Sequence, residues 1–401
     1  MTVDSSLNSG VPLGWRPAQA ALSLTAVGAL LGLPLVRVAP NRLVTGESVS
    51  FFSLVQGPAW ALAALLTSLI LFSMVPAKRV SLWLTVATAT ALVVGLGALA
   101  ASHASQVVSA DTPFGRTSLG SGLWLAWLLL GLVLADAMQA LRAGTLTRLG
   151  VAAASLLPLA FLLASGAADD LSIMKEYANR DDAFWEAIAR HGQIVALALF
   201  FTLVIGLPLG WATHRYAAAA PALFPVLNII QTIPSIALFG LLMAPLAWLA
   251  ASWPALGRAG ISGVGLAPGV VALTLYSLLP VVRGTLAGLA QVPSAVTQAA
   301  QGMGFSDSQL FWQVQVPLAL PVVLSGVRTA SIQAVGLAGV TALIGAGGLG
   351  SLMFEGLFSS AQDLVLLGVV PIVVLGALVD GVFKGLITLT RPATTSGESA
   401  H

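Results

Sequence analysis

Cysteine is missing from the 401 residues, so neither disulfides nor thiolate chemistry is available to the chain. Charge is scarce as well. Asp, Glu, Lys and Arg together make up 8%, against about 25% in a soluble protein. Only three of the cations are lysines, at 78, 175 and 384. None stands in the G-x-x-x-x-G-K-[ST] frame, so the chain has no P-loop with which to hold ATP. No basic run accompanies the net charge of +2, which removes the usual footprint of a nucleic-acid binder. His191 stands alone at a helix start, without partners at metal-ligand spacing, and no metal site is expected. No nucleophile stands beside a base, and no carboxylates pair in polar surroundings, so no catalytic site is expected either. What is there instead is apolar sequence: 57% hydrophobic residues and a mean hydropathy of +0.95. Those values describe a polytopic membrane protein.

Ten candidate spans lie near residues 18–37, 58–76, 80–101, 121–140, 148–166, 191–213, 219–248, 266–290, 317–344 and 363–389. Each approaches or exceeds the roughly 20 residues that cross the hydrocarbon. The chain starts with a short polar tail, Arg16 and a long apolar run that lacks a small-residue cleavage site. It reads as a retained helix, not a removed signal peptide. Short loops rich in Lys and Arg face the cytoplasm. Lys78 and Arg79, Arg142 and Arg148, and Arg215 fall in the tight loops after spans 2, 4 and 6. Both termini are then cytoplasmic. The longest outer segment, 167–190, carries six acids against three bases.

One stretch breaks the apolar run: VPSAVTQAAQGMGFSDSQLFWQVQVP, residues 292–317. On the same parity it faces the cytoplasm. The sequence reads as two short helices with a break. Pro293 suits a first helical turn, Ala299 and Ala300 are good helix formers, and Gly304 fits the C′ position that follows a helix. Ser306 and Gln309 have the spacing of a capping box, which opens the second helix. Pro317 punctuates the start of span 9. An amphipathic linker at the membrane interface and a rigid elbow for a partner are both compatible with this pattern.

Gln298-Ala299-Ala300, three residues, Gly304, nine residues, then Val314-Gln315-Val316-Pro317 resembles the EAA loop of ABC importer permeases, E-A-A-x3-G-x9-I-x-L-P. Gln298 stands where that motif has glutamate, so a salt bridge made by the usual carboxylate is not carried over. The resemblance implies that Gln298, Ala299, Ala300, Gly304, Phe305 and Pro317 belong to a coupling helix that docks into a cytoplasmic ATPase. HGQIVALALFFTLVIGLPLGW, NIIQTIPSIALFGLL, LYSLLPVVRGTLAGL and GVRTASIQAVGLAGVTALIGAGGLGSLMFEGL are similar to permeases that import osmoprotectants of the glycine betaine, carnitine and choline type. Residues 1–166 resemble an N-terminal extension found in one branch of them.

Other features are less specific. NIIQTIPS places Asn228, Gln231, Thr232, Pro234 and Ser235 within span 7. They are candidates for the translocation path or gate, and equally for a kink held by interhelical hydrogen bonds. Arg328 lies about 16 Å into span 9 and should face protein or water. A structural role among carbonyls suits it better than lining the path of a cation, and Asp136 and Asp380 need no special role. GAGGLG at 345–350 matches G-x-G-x-x-G but follows a long apolar helix and not a strand, so it reads as a flexible turn. GLPLG (206–210), GTLAG (284–288) and GVFKG (381–385) permit close helix packing. Phe184, Trp185 and Ile188 share one face of an outer helix. That helix either lies at the membrane interface or docks an extracytoplasmic binding protein.

The expected fold is all-α, a polytopic membrane protein of about ten transmembrane helices. It comprises a cytoplasmic tail (1–17), a five-helix extension (18–166), an acidic outer segment (167–190), a five-helix type I importer core (191–389, coupling loop 291–316) and a cytoplasmic tail (390–401). The resemblance implies a permease subunit of a bacterial inner membrane importer working by alternating access. Its partners would be a cytoplasmic ABC ATPase dimer that binds the ATP, an extracytoplasmic substrate-binding protein, a second permease subunit (identical or related) and membrane lipid. No cofactor is expected in this chain. The alternatives are a sister permease for an amino acid or other small polar solute, or a secondary transporter. The latter would want internal repeats and intramembrane acids, and neither stands out.

Overall fold

The computed structural model describes residues 16–390 except 42, 43, 45, 56–59, 77, 109–113 and 217. The tails expected at 1–17 and 390–401 fall outside these residues, apart from Arg16, Pro17 and Thr390. So do the first two residues of the expected span 58–76. The chain forms two compact units, Met1–Asn179 and Arg180–His401. Eight helices among the described residues are long and apolar enough to cross a membrane, and four shorter ones are also apolar.

The first unit holds α1 (Pro17–Gly32), β1 (Val36–Ala39), β2 (Glu47–Val49), α2 (Phe51–Leu54), α3 (Trp60–Met74), α4 (Arg79–Val107), β3 (Arg116–Leu119), α5 (Ser121–Ala140), α6 (Thr145–Ala164) and α7 (Ser172–Ala178). The expected span 18–37 stops at Gly32. Pro34 forces Leu33 into extended backbone, φ −116° and ψ 154°, because the residue before proline is excluded from the helical region. The chain then builds a three-stranded antiparallel sheet in the order β2-β1-β3, with Val36 opposite both Val49 and Leu119. Sequence analysis gave no hint of this sheet. Leu30, Leu35, Phe51, Leu69, Leu92, Leu96, Leu123 and Leu130 form a common core, each at most 1% exposed. A β-carbon at Gly120 would lie 2.8 Å from the carbonyl carbon of Leu35, so only glycine lets β3 hand over to α5 there. Asp136 does have a role: it accepts from Arg16 at 2.8 Å. The almost fully buried Glu176 pairs with Arg116 at 3.3 Å.

The second unit holds α8 (Asp181–Arg215), α9 (Ala219–Thr232), α10 (Ser235–Ser252), α11 (Pro254–Arg258), α12 (Leu266–Ala290), α13 (Ser294–Gly302), α14 (Asp307–Gln309), a π-helical segment (Leu310–Gln315), α15 (Val316–Ala338), a 3-10 turn (Val340–Ile344), α16 (Leu349–Phe358) and α17 (Gln362–Thr390). Phe184, Trp185 and Ile188 do not form a separate interfacial helix. They open the 35-residue α8, because a lone Gly192 costs too little to end a helix. The expected span 219–248 is two helices, and 317–344 ends in the 3-10 turn.

α12 lies at the centre of this unit, between α8 and α15. Two of the three G-x-x-x-G spacings make those seams. A β-carbon at Gly206 would meet Val281 Cγ1 at 3.0 Å, and one at Gly210 would meet Val282 O at 3.0 Å. One at Gly284 would lie 2.8 Å from Gly326 Cα, and one at Gly288 would lie 2.8 Å from Ala319 O. The third, Gly381 and Gly385 on α17, has no described atom within 4 Å.

Candidate translocation and coupling elements

NIIQTIPS is a break, not a kink. α9 ends at Thr232, Ile233 is extended at φ −69° and ψ 127°, and Pro234 caps α10, which begins at Ser235. Proline lacks an N–H and cannot continue the helix ladder. The break is locked onto α12 by two hydrogen bonds. Gln231 Nε2 donates to Tyr276 O at 2.7 Å, and Tyr276 OH donates to Ile233 O. The first bond has a covalent cause. Tyr276 O would accept from the residue four positions on, but that residue is Pro280, inside α12, so its carbonyl is free for Gln231. Thr232 Oγ1 turns back to Ile229 O at 2.7 Å. Asn228 Oδ1 accepts from Arg283 Nη2 at 2.9 Å.

The elbow at 292–317 is built from its own local bonds. Pro293 sits one place earlier than expected, as the residue before the first turn of α13. Gly304 has φ +85°. Its N–H reaches Gln301 O at 2.9 Å, and Phe305 N–H reaches Ala300 O at 3.2 Å, the double closure of a Schellman motif. Ser306 and Gln309 then cap each other: Ser306 N–H donates to Gln309 Oε1 at 2.9 Å, and Gln309 N–H donates to Ser306 Oγ at 3.3 Å. The second arm is not a separate short helix. It runs through the π segment into α15, with Pro317 in the first turn of α15, where its missing N–H does no harm. The Phe311 ring lies 6.3 Å from that of Trp211 at the end of α8. Ala300 is buried, while Gln298, Ala299 and Pro317 are exposed. Met303 and Trp312 are also exposed, at 71% and 65%.

Arg328 is paired, and not with carbonyls. Its Nε donates to Asp380 Oδ1 at 2.6 Å, its Nη2 reaches the same oxygen, and Lys384 Nζ holds Asp380 Oδ2 at 2.6 Å. Asp380, given no role from sequence, is thus the charge that joins α15 to α17. The GAGGLG stretch is a turn, as expected, and it carries one side-chain tie. Gly345, Gly347 and Gly348 have φ of +76°, +84° and +83°, and Arg190 Nε donates to Ala346 O at 2.9 Å. Arg180, Glu186, Arg190, Gln193, Ser351 and Glu355 line a crevice of about 820 Å³ beside it.

Residues 202–391 match the family profile described as "Binding-protein-dependent transport system inner membrane component". Residues 16–174 match "ABC transporter permease YehY, N-terminal domain". The osmoprotectant import permease protein OsmW of Salmonella typhimurium is 37% identical over 203 residues, 51% of this chain and 89% of that protein. The chain belongs to the binding-protein-dependent ABC importer permeases. A second relative, the glycine betaine/carnitine/choline transport system permease protein OpuCB of Bacillus subtilis, is 31% identical over 52% of this chain and 87% of its own length. A third, the choline transport system permease protein OpuBD of the same organism, is 30% identical over 52% and 85%. This permease is therefore a multi-pass inner membrane protein whose second unit carries the importer core and whose first unit is the extension.

Sequence reading missed three residues that bond these elements together: Tyr276, Arg283 and Asp380. The first had a local sign, since Pro280 four residues after Tyr276 announces a free carbonyl. Arg283 lies within the apolar run LYSLLPVVRGTLAGL and could have been marked by its depth alone, as Arg328 was.

Proposed function

We propose that this permease carries a small osmoprotectant of the glycine betaine, carnitine or choline class by alternating access, driven by a partner ATPase. The observation that supports the solute class is that relatives at 30–37% identity, each matched over at least 85% of its own length, are named for osmoprotectant import in one case and for glycine betaine, carnitine or choline transport in the others. Two permease cores, identical or related, would enclose the path. An extracytoplasmic binding protein would select the solute, where an aromatic cage can hold a quaternary ammonium. ATP would bind the partner subunits. The elbow would dock into them, presenting Gln298, Ala299, Met303 and Trp312, and its continuity with α15 would turn a push on α13 and α14 into movement of a membrane helix. Asn228, Gln231, Thr232, Pro234 and Ser235 would act at the gate, since the helix is interrupted there and side-chain bonds from Gln231 and Tyr276 fasten the break to α12.

Radiolabelled uptake in cells deleted for this chain tests the reading. Uptake of glycine betaine or choline should be lost and restored by the cloned gene. Unchanged uptake of this class, together with loss of an amino acid, would transfer the permease to the sister solute class. Orientation is tested by reporters: a fusion after Arg142 should read cytoplasmic and one near Lys175 external.

A further inference from the structure

Arg283 and Arg328 both lie within the apolar runs of membrane-spanning helices of the second unit, and of these two only Arg328 has a carboxylate partner among the described residues. Arg328 has Asp380. Arg283, on α12, has no carboxylate partner among the described residues. Its polar contact is Asn228 Oδ1 at 2.9 Å, and its guanidinium lies 5.8 Å from the centre of the Phe224 ring. Arg283 and Asn228 are both exposed. Arg283 lies seven positions before the end of α12 at Ala290, so it sits about 10 Å inside the helix end. A charged side chain at such depth faces water or another protein group, not lipid tails. Asn228 belongs to the same segment as the helix break, three residues before Gln231. Guanidinium offers five donors, and Asn228 takes one of them. The remainder can receive a carboxylate in bidentate fashion.

We propose that Arg283, held by Asn228 beside Phe224, is an anion-preferring station on the solute path, which favours solutes bearing a carboxylate over bare cations. This rests on the permease reading above and sharpens its solute class. A zwitterion of the betaine type brings a carboxylate to Arg283 while its quaternary ammonium can meet an aromatic face. Choline brings only the cation, which Arg283 repels. The station therefore gives the permease a discrimination of its own, on top of whatever the binding protein selects.

The test has two arms. The first needs no knowledge of the solute, because the chain has no cysteine of its own. In Ala287→Cys permease, whose thiol lies one turn from Arg283 on the exposed side of α12 and leaves the Asn228 contact intact, assembled with its partners in membranes, the sulfonate reagent 2-sulfonatoethyl methanethiosulfonate should react at least tenfold faster than its trimethylammonium counterpart, relative to their rates with a free thiol. Adding Arg283→Gln should abolish that preference, while Arg283→Lys should keep most of it. Equal rates, or no reaction with either reagent, overturn the station and place Arg283 in a closed protein contact. The second arm compares uptake. Arg283→Gln should lower glycine betaine transport relative to choline by about tenfold, with ATPase stimulation by loaded binding protein retained. An unchanged ratio also overturns the proposal. If the unaltered permease moves neither solute, the solute reading falls, and the labelling arm alone decides the station.

Discussion

α12 and α17 are apolar helices of similar length, and each carries a G-x-x-x-G spacing. In the most apolar stretch of α12, 61% of residues are buried, against 11% in α17. The difference lies in what stands opposite. Gly284 of α12 meets Gly326 of α15, so two backbones touch where neither has a side chain. Gly381 and Gly385 of α17 meet no described atom within 4 Å; this helix packs on α15 and α16 through other positions, Gly368 among them, and Asp380 adds a charged fastening to α15. Small-residue spacing permits a close seam but does not create one. A seam needs a partner surface that reaches the gap, whether a second glycine, as at Gly326, or the Val281, Val282 and Thr285 face that meets Gly206 and Gly210, and that surface belongs to another part of the chain.

Three single substitutions and one double variant test this contrast, and a fourth single substitution, in the elbow, sets stability apart from coupling. The largest effect is expected at the crossing itself. A side chain at Gly326 would begin 2.6 Å from Pro280 O and 2.9 Å from Gly284 Cα. Gly326→Val should therefore cost about 3 kcal/mol and leave little folded permease in a thermal-unfolding assay of purified protein. A variant as stable as the parent would remove α12–α15 contact from the account. Next comes the charged fastening. Asp380→Asn strands Arg328 beside Lys384 and should cost about 2 kcal/mol, less than a fully dry pair because both side chains are partly exposed. Arg328→Met combined with Asp380→Leu should recover most of that loss, and failure of the double variant to improve on the single one would show that the pair does more than compensate itself.

Gly304→Asp should reduce stability by only about 1 kcal/mol, the cost of a side chain at positive φ. Solute uptake should nevertheless collapse, with ATP hydrolysis no longer stimulated by the loaded binding protein. Parental values of both would reduce the elbow to a linker. The smallest effect belongs to the open face of α17. Gly381→Leu should change the stability of the isolated chain by no more than about 0.5 kcal/mol. A drop as large as that of Gly326→Val would mean that the Gly381 face of α17 is packed after all and the contrast with α12 is false.

Local rules carried the elbow well. Gly304 has the left-handed backbone, and Ser306 and Gln309 make the reciprocal cap, because both depend on residues within a turn of each other. The break at Pro234 was visible for the same reason, although its depth was not: a kink and a full interruption share one sequence, and Tyr276 decides between them from 43 residues away. The sheet of the first unit was illegible because VRVA and RTSL are separated in sequence by β2, α2, α3 and α4 and become strands only when paired, as β1 and β3 are. Arg328 was marked by depth, yet its partner 52 residues on was not, since nothing within a helix's own periodicity says which neighbouring helix faces it. The long α8 was misread by charge: acids at its start resemble an outer loop, but they also favour a helix N-terminus.

The wide turn at Leu310–Gln315 has a consequence of its own. Closing bonds five residues apart, not four, accommodates one additional residue without interrupting the rod. Removing a single residue there would leave both ends helical and the length almost unchanged. It would, however, turn the face that meets Trp211 by about 100° relative to the face that carries Gly326. The extra residue thus acts as a phase adjuster, letting one continuous shaft present unrelated surfaces to the elbow at one end and to α12 at the other.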